Sequence, residues 1–382
     1  YNSKKIKYIS HHHEQAASFA AESYARAKNG VGCCLVTTGP GGTNTLTGVS
    51  SAWIDSVPVI FISGQVFFNQ TIQKTQKRQI GVQEINIIDI VKPITKFSYQ
   101  LKNSNEIRYV LEKAFYIANE GRPGPVLIDI PMNFQREKIN LKRLKGFTKI
   151  KKNKKIIRIK NDINKIKKLL LKSKRPILIL GGGIRMSKSI NELDKFLKKI
   201  DIPIVTTWSG LDLVDYNHKN YLGCIGVYGS RGANFAVQNS DLILNFGSRL
   251  DTRVTGGKPE TFARAAKIIS IDIDKYELNK KRGLDIYLKI NQDLNSFLLI
   301  LNSKSINFKY LVNKDWKKVC QEWKLNYPNV TFSNRKIKQP INPYFFFECL
   351  SEKLNKNDVI VSDTGASLTW SIQAFKIKKG QR

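Results

Sequence analysis

Short apolar runs of strand length recur along the chain. Between them, apolar residues return at the three-to-four spacing of helices. Cys33–Thr37, Val57–Ser63 and Pro125–Ile130 read as buried strands, and Ala16–Lys28, Asn44–Asp55 and Ile107–Asn119 read as helices. The turn word Gly121-Arg122-Pro123-Gly124-Pro125 delivers the chain into the last of these strands. Such alternation predicts a parallel sheet covered by helices on both faces. The pattern then restarts with a strand at Pro176–Leu180, the run Gly181-Gly182-Gly183 and a helix over Ile190–Ile200. Strands over Ile204–Thr207, Leu242–Phe246 and Ile268–Ile273, with a helix over Gly232–Gln238, complete a second α/β pattern. The fold class expected is therefore α/β, with successive doubly wound parallel-sheet domains. The expected divisions are a domain over 1–140, a basic linker over 141–170 that ends in a helical Ile163–Leu171, and a domain over 171–305. A linker over 306–340 follows, carrying an amphipathic helix around Trp316 and Trp323. The beginning of a third domain lies over 341–382, with a helix at Pro343–Leu354 and a strand at Val359–Ser362.

Charge changes this picture little. The 382 residues carry 64 Lys and Arg against 30 Asp and Glu, a net charge of +34. A nucleic-acid partner would explain such an excess, yet the lysines are spread along the whole chain among Ile and Asn, as in KIKKNKKIIRIKNDINKIKK. They also lack the aromatic interleaving of a strand-binding face, so specific nucleic-acid binding is not expected. Adventitious binding of polyanions at low salt is. The five cysteines are scattered and without paired metal spacing, which suits a reducing compartment such as the cytoplasm. No apolar run is long enough to cross a bilayer, and no secretory leader is visible. The chain begins at Tyr1 and stops soon after a strand-and-turn pattern, and so reads as an internal piece of a longer protein.

Candidate chemistry clusters in a few words. In His13-Glu14-Gln15 a carboxylate opens an apolar helix with no Lys or Arg until Arg26, so poor solvation is expected to raise its pKa. The plain alternative is a glutamate that only favours the helix macrodipole. The loop Thr38-Gly39-Pro40-Gly41-Gly42-Thr43-Asn44 joins a strand to a helix, where amides can hold an anion, but it lacks the lysine of a phosphate-binding loop. Arg249, Asp251 and Arg253 follow one strand, and Asp272 and Asp274 end the next. Arginines there suit phosphate or carboxylate and acidic residues suit ribose hydroxyls, although an ordinary ion-pair cluster would look the same. His11, His12 and His13 are adjacent and cannot all face one metal ion.

The run from His13 to Gln65 resembles the thiamine-diphosphate enzymes, most closely the catalytic subunit of acetolactate synthase, and the likeness extends to about Trp370. The resemblance implies a pyrimidine-binding domain, a central FAD-binding-like domain and the start of a diphosphate-binding domain. Glu14 would hydrogen-bond the pyrimidine of thiamine diphosphate, with Pro40 and Asn44 as its neighbours. Gln65 and Gln83 would line the substrate site. Gly182, Arg249 and Asp272 would contact FAD, and Arg253 would orient the carboxylate of a second keto acid. Thr364, Gly365 and Ala366 would touch the cofactor phosphates, with the Mg²⁺ ligands beyond Arg382. The implied reaction decarboxylates a 2-keto acid, pyruvate foremost, and joins the remaining two-carbon unit to a second keto acid. A homodimer or tetramer is implied as well, and a regulatory subunit is left open. Three positions depart from the family: Val82 replaces an aromatic residue, Tyr228 a histidine and Thr252 an aspartate. They keep open another acceptor, such as a keto sugar, or simple decarboxylation. A binding module without catalysis would tolerate loss of Glu14.

Overall fold

The computed structural model describes residues 5–72, 75–149, 156–303, 314–336 and 339–382. The chain forms two compact units, residues 1–153 and 154–382.

The first unit is built on four parallel strands, β1 (Gly32–Val36), β2 (Val59–Gln65), β3 (Phe97–Gln100) and β4 (Val126–Pro131), in the order β1-β2-β4-β3. Three helices frame the candidate site: α1 (Glu14–Lys28), α2 (Pro40–Asn44) and α3 (Leu46–Ile54). Ala21 and Ala25 of α1 and Val49 and Ala52 of α3 pack with Phe61 of β2 and Leu127 of β4. Small residues on both helices let the backbones approach the sheet closely. A second cluster joins Val110, Ala114 and Ala118 of the helix Ile107–Asn119 to Val126 and Ile128 of β4, so both faces of the sheet are covered. The helix expected over Asn44–Asp55 starts earlier and breaks once, because Pro40 presets the helical φ of its first position. Strand β3 was not anticipated; it is four residues long, half-buried and at the sheet edge.

The second unit has six parallel strands: β5 (Pro176–Leu180), β6 (Ile204–Thr206), β7 (Tyr221–Cys224), β8 (Leu242–Phe246), β9 (Lys267–Asp272) and β10 (Leu288–Asn291). Their order, β10-β9-β8-β5-β6-β7, reverses direction between β5 and β8. The chain winds outward one way from β5 and returns to wind the other, leaving a crevice at the carboxyl ends of β5 and β8.

Two stretches expected as linkers contribute to this core. The helix Ile156–Lys172 places Ile159, Ile163, Ile166 and Leu170 in one face of it. These positions follow the three-to-four helical period and lie among lysines that stay in water, which disguised the stripe as a basic linker. The helix Lys314–Asn326 buries Trp316 and Cys320 in the other face, and Trp316 Nε1 donates to the Pro176 carbonyl at 3.0 Å.

The strand expected at Val359–Ser362 does not form. Ile360 N–H donates to the Arg382 carbonyl and Arg382 N–H to that of Asp358, but no ladder extends from this pair. Val361 is 85% exposed, and a strand without a neighbour leaves its backbone to water. Among the described residues no helix is long and apolar enough to cross a membrane.

Candidate active site

The segment from Thr37 to Asn44, a short loop after β1 followed by α2, gathers the candidate residues of the first unit. Helix α1 starts at Glu14 because His13 caps it, its Nδ1 accepting the Gln15 N–H at 3.1 Å. The Glu14 side chain then meets the end of α2, where Asn44 Nδ2 donates to Glu14 Oε2 at 3.0 Å. Gly41 lies beside this pair: a Cβ built there would fall 2.7 Å from Thr37 Cγ2 and 3.6 Å from Glu14 Oε1. The close approach of Thr37 requires the glycine, whose bare face also borders the carboxylate.

The electrostatics differ from expectation. The Glu14 pKa lies below its ordinary value, chiefly because Asn44 and then its own backbone N–H donate to the charged form. Burial, which was expected to raise it, is slight within this chain and does not offset those bonds.

Gln83 approaches the same loop from another side. It adopts a left-handed φ of 60°, and its carbonyl oxygen would lie 2.1 Å from a Cβ on Gly39, itself at φ +60°. Only glycine at 39 allows this contact. Gln83 and Val82 are exposed, so the side chain of Gln83 is available to a ligand.

Gln65, also expected at the substrate, is not exposed in this way. It is 3% exposed. Its Nε2 donates to the Ile85 carbonyl and to Asp129 Oδ2, both at 3.1 Å. Its Oε1 accepts Thr38 Oγ1 at 2.7 Å and the Val66 N–H at 3.0 Å. All four hydrogen-bonding positions of the amide are used inside the protein. Gln65 supports the loop from beneath.

Asp129 completes that support and was missed in the sequence. It is 1% exposed and accepts from Ser63 Oγ at 2.6 Å and Gln100 Nε2 at 2.9 Å, besides Gln65. Burial raises its pKa, and the three donors only partly oppose this. The signal was present: a lone carboxylate inside the apolar word Val126-Leu127-Ile128-Asp129-Ile130 must be paired in the fold.

In the second unit the candidates lie at the strand ends. The turn after β5 packs against the turn after β8: the Gly181 N–H donates to the Phe246 carbonyl and the Gly183 N–H to that of Gly247, each at 2.9 Å. A Cβ on Gly181 would stand 2.4 Å from the Gly247 oxygen, so the glycine run serves this backbone contact, with Gly182 buried at its centre. Next to it, Arg249, Arg282, Lys280, Glu277 and Asp272 line a small cleft that is partly open to solvent. Arg282 donates to the Arg249 carbonyl, and Asp272 Oδ1 accepts the Asp274 N–H at 2.9 Å. Arg253 reaches Tyr228, with its Nη1 2.8 Å from the phenol oxygen. That contact had no sequence signal.

Thr364, Gly365 and Ala366 form an exposed turn into the helix Ala366–Ala374, with Gly365 at φ +97°. No hydrogen bond among the described residues joins them to Arg249 or Asp272. The described residues also hold no group of three or more His, Cys, Asp or Glu side chains placed to bind a metal ion.

Comparison with known proteins assigns the chain. Residues 1–87 match the "Thiamine pyrophosphate enzyme, N-terminal TPP binding domain" and residues 163–301 the "Thiamine pyrophosphate enzyme, central domain". The acetolactate synthase large subunit of Cyanidium caldarium is 35% identical over 396 residues, covering 100% of this chain and 65% of that protein. Acetolactate synthase 1, chloroplastic, of Nicotiana tabacum is 35% identical over 98% of this chain and 55% of its own length. The acetolactate synthase isozyme 2 large subunit of Escherichia coli is 33% identical over 96% of this chain and 63% of its own. The chain thus spans between about half and two thirds of the length of these relatives. It belongs to the thiamine pyrophosphate enzymes.

Proposed function

We propose that the protein catalyses thiamine-diphosphate-dependent decarboxylation of a 2-keto acid, pyruvate foremost, and joins the resulting two-carbon unit to a second keto acid, as the names of its relatives imply for them. The observation that carries this reading is the Glu14 carboxylate, fixed by Asn44 beside the bare face of Gly41. The residues fit the pyrimidine ring: an oriented carboxylate can hold the proton of a ring N–H, and the absent side chain at 41 leaves room for a flat group. Bound there, thiamine diphosphate supplies the carbon nucleophile and the electron sink for decarboxylation.

Glu14 would share a proton with the pyrimidine ring nitrogen through its carboxyl group, Asn44 would hold that carboxyl group in place, and Pro40 and Gln83 would border the ring. Because Glu14 is little buried within its own chain, the reading has a second copy of the chain close over it, in a homodimer or tetramer. That enclosure would desolvate Glu14 and move its pKa back upward. A regulatory subunit is compatible with this arrangement. FAD is assigned to the crevice at the ends of β5 and β8, with Gly182, Arg249 and Asp272 as contacts. Thr364, Gly365 and Ala366 are assigned to the diphosphate, and Mg²⁺ to residues outside those described. The free thiols of all five cysteines suit a reducing compartment such as the cytoplasm.

The test is Glu14→Gln in the full-length protein, supplied with thiamine diphosphate, Mg²⁺, FAD and pyruvate, following carbon dioxide and acetolactate together. Glutamine keeps the shape and the Asn44 contact but cannot hold the proton. Both products should fall by about 10²–10⁴-fold, the usual contribution of a positioned acid or base. Near-normal turnover in the variant would sink the assignment.

A further inference from the structure

We propose that Tyr228 is a positioning residue that holds Arg253 ready for the carboxylate of the acceptor, and thereby selects a 2-keto acid over an uncharged carbonyl compound. The inference deepens the carboligase reading above and rests on it. Its basis is the geometry of two loops of the second unit. Arg253 Nη1 donates to Tyr228 Oη at 2.8 Å, and the guanidinium carbon lies 5.5 Å from the centre of the same ring. One side chain therefore offers both an acceptor and a π face to one cation. The Trp208 ring stands 6.4 Å from that of Tyr228 and flanks it.

The backbone enforces the same meeting. The Arg253 carbonyl accepts the Val227 N–H at 2.8 Å, one residue from Tyr228, and the Arg253 N–H is held by Asp251 Oδ1 at 3.0 Å. Gly226, at φ +104°, permits this approach, since a Cβ there would fall 2.3 Å from the Arg253 oxygen. The two side chains are thus brought together by paired loops and do not depend on a chance surface contact.

What remains of the guanidinium is informative. Arg253 is exposed, and among the described residues its Nε and Nη2 have no hydrogen-bond partner. That edge presents two parallel N–H groups, the arrangement that matches two carboxylate oxygens. Tethering Nη1 to Tyr228 fixes the direction in which the edge points, so less side-chain freedom is lost when an anion binds. An aldehyde or a sugar hydroxyl would use one donor and leave the charge unmatched. The carboxylate-bearing acceptor is favoured for that reason.

The experiment offers the full-length protein pyruvate as donor and an equimolar mixture of 2-oxobutanoate and propanal as acceptors. The two acceptors carry the same ethyl group and differ by the carboxylate. The ratio of the two mixed products is measured alongside total carbon dioxide release, with thermal melting as a check of folding. Tyr228→Phe keeps the ring and removes the acceptor oxygen. It should shift the product ratio toward the aldehyde by about tenfold, the value of one net charge-assisted hydrogen bond, and leave carbon dioxide release within about twofold. Tyr228→His, which restores a ring acceptor, should recover part of the ratio. An unchanged ratio with carbon dioxide release intact overturns the role of Tyr228 and leaves the carboligase reading standing. Wild-type protein that releases no carbon dioxide from pyruvate overturns both.

Discussion

Among the described residues Asp129 has three donors and no cation, and its ionisation is consequently a cost that the fold carries. Ser63 Oγ reaches Oδ1, while the amides of Gln65 and Gln100 both reach Oδ2. Asparagine fits the same positions: its oxygen takes the two amides, and its NH₂ faces a serine hydroxyl that can turn to accept. We expect Asp129→Asn to fold. The sign of its pH dependence follows from the raised pKa of the wild type. A carboxyl whose pKa is higher folded than unfolded contributes stability below the unfolded value, near pH 3.9, and loses it as pH rises through the folded value. The melting temperature of Asp129→Asn relative to wild type should therefore climb from about pH 4 toward neutrality; a flat difference would show that burial does not govern this group. Asp129→Leu should cost about 2–6 kcal/mol, since two buried amide N–H groups and a hydroxyl lose their acceptor. It should also loosen the loop above, because Gln65 passes this support to Thr38.

Whole elements were legible where one periodicity dominated. The helix Ile107–Asn119 and strand β8 fall where the apolar pattern puts them, residue for residue, and the other early strands agree within two residues at either end. Legibility failed in three physical situations. Strands β3, β7 and β10 are only four residues long and owe their ladder hydrogen bonds to a single neighbouring strand, so no local pattern marks them. Residues 359–362 had the pattern and lacked the neighbour. The helix Ile156–Lys172 had a core stripe inside a basic composition, and composition masked the period. The site divides similarly. Glu14 and Asn44 were readable as a pair of words, whereas the inward turn of Gln65 and the meeting of Tyr228 with Arg253 are tertiary facts. The helix supplies its own test. Ile163 is fully buried, and Ile163→Ala should cost about 2–5 kcal/mol in chemical denaturation. Lys168→Ala, on the exposed side, should change stability by less than about 0.5 kcal/mol. Equal effects at the two positions would restore the linker reading.

At the scale of the molecule, 64 basic residues must be accommodated by 30 acidic ones, and the ion pairs show how. Asp212 accepts Arg185 at 2.8 Å and Arg382 at 2.6 Å, Asp201 is approached by Lys317 and Lys219, and Glu348 by Arg335 and Lys376. One carboxylate serves two cations in each case, and the pKa values of Asp201 and Glu348 are held below their ordinary range. Sharing acids in this way still leaves a large positive excess over the whole chain. Surface ion pairs contribute little each, whereas repulsion among unmatched cations acts across the molecule at low ionic strength. Added salt weakens both, but the Debye length falls from about 30 Å at 0.01 M to about 8 Å at 0.15 M, and this removes the many longer-range repulsions first. The melting temperature should therefore rise as sodium chloride goes from about 10 mM to about 150 mM; a fall would mean that the shared pairs outweigh the excess. The same field should hold the protein on heparin at the lower salt and release it steeply as salt rises, because a nonspecific polyanion contact is paid in released counterions. A site for nucleic acid would add a salt-resistant component that prefers one sequence or structure. The dispersed lysines give no reason to expect it.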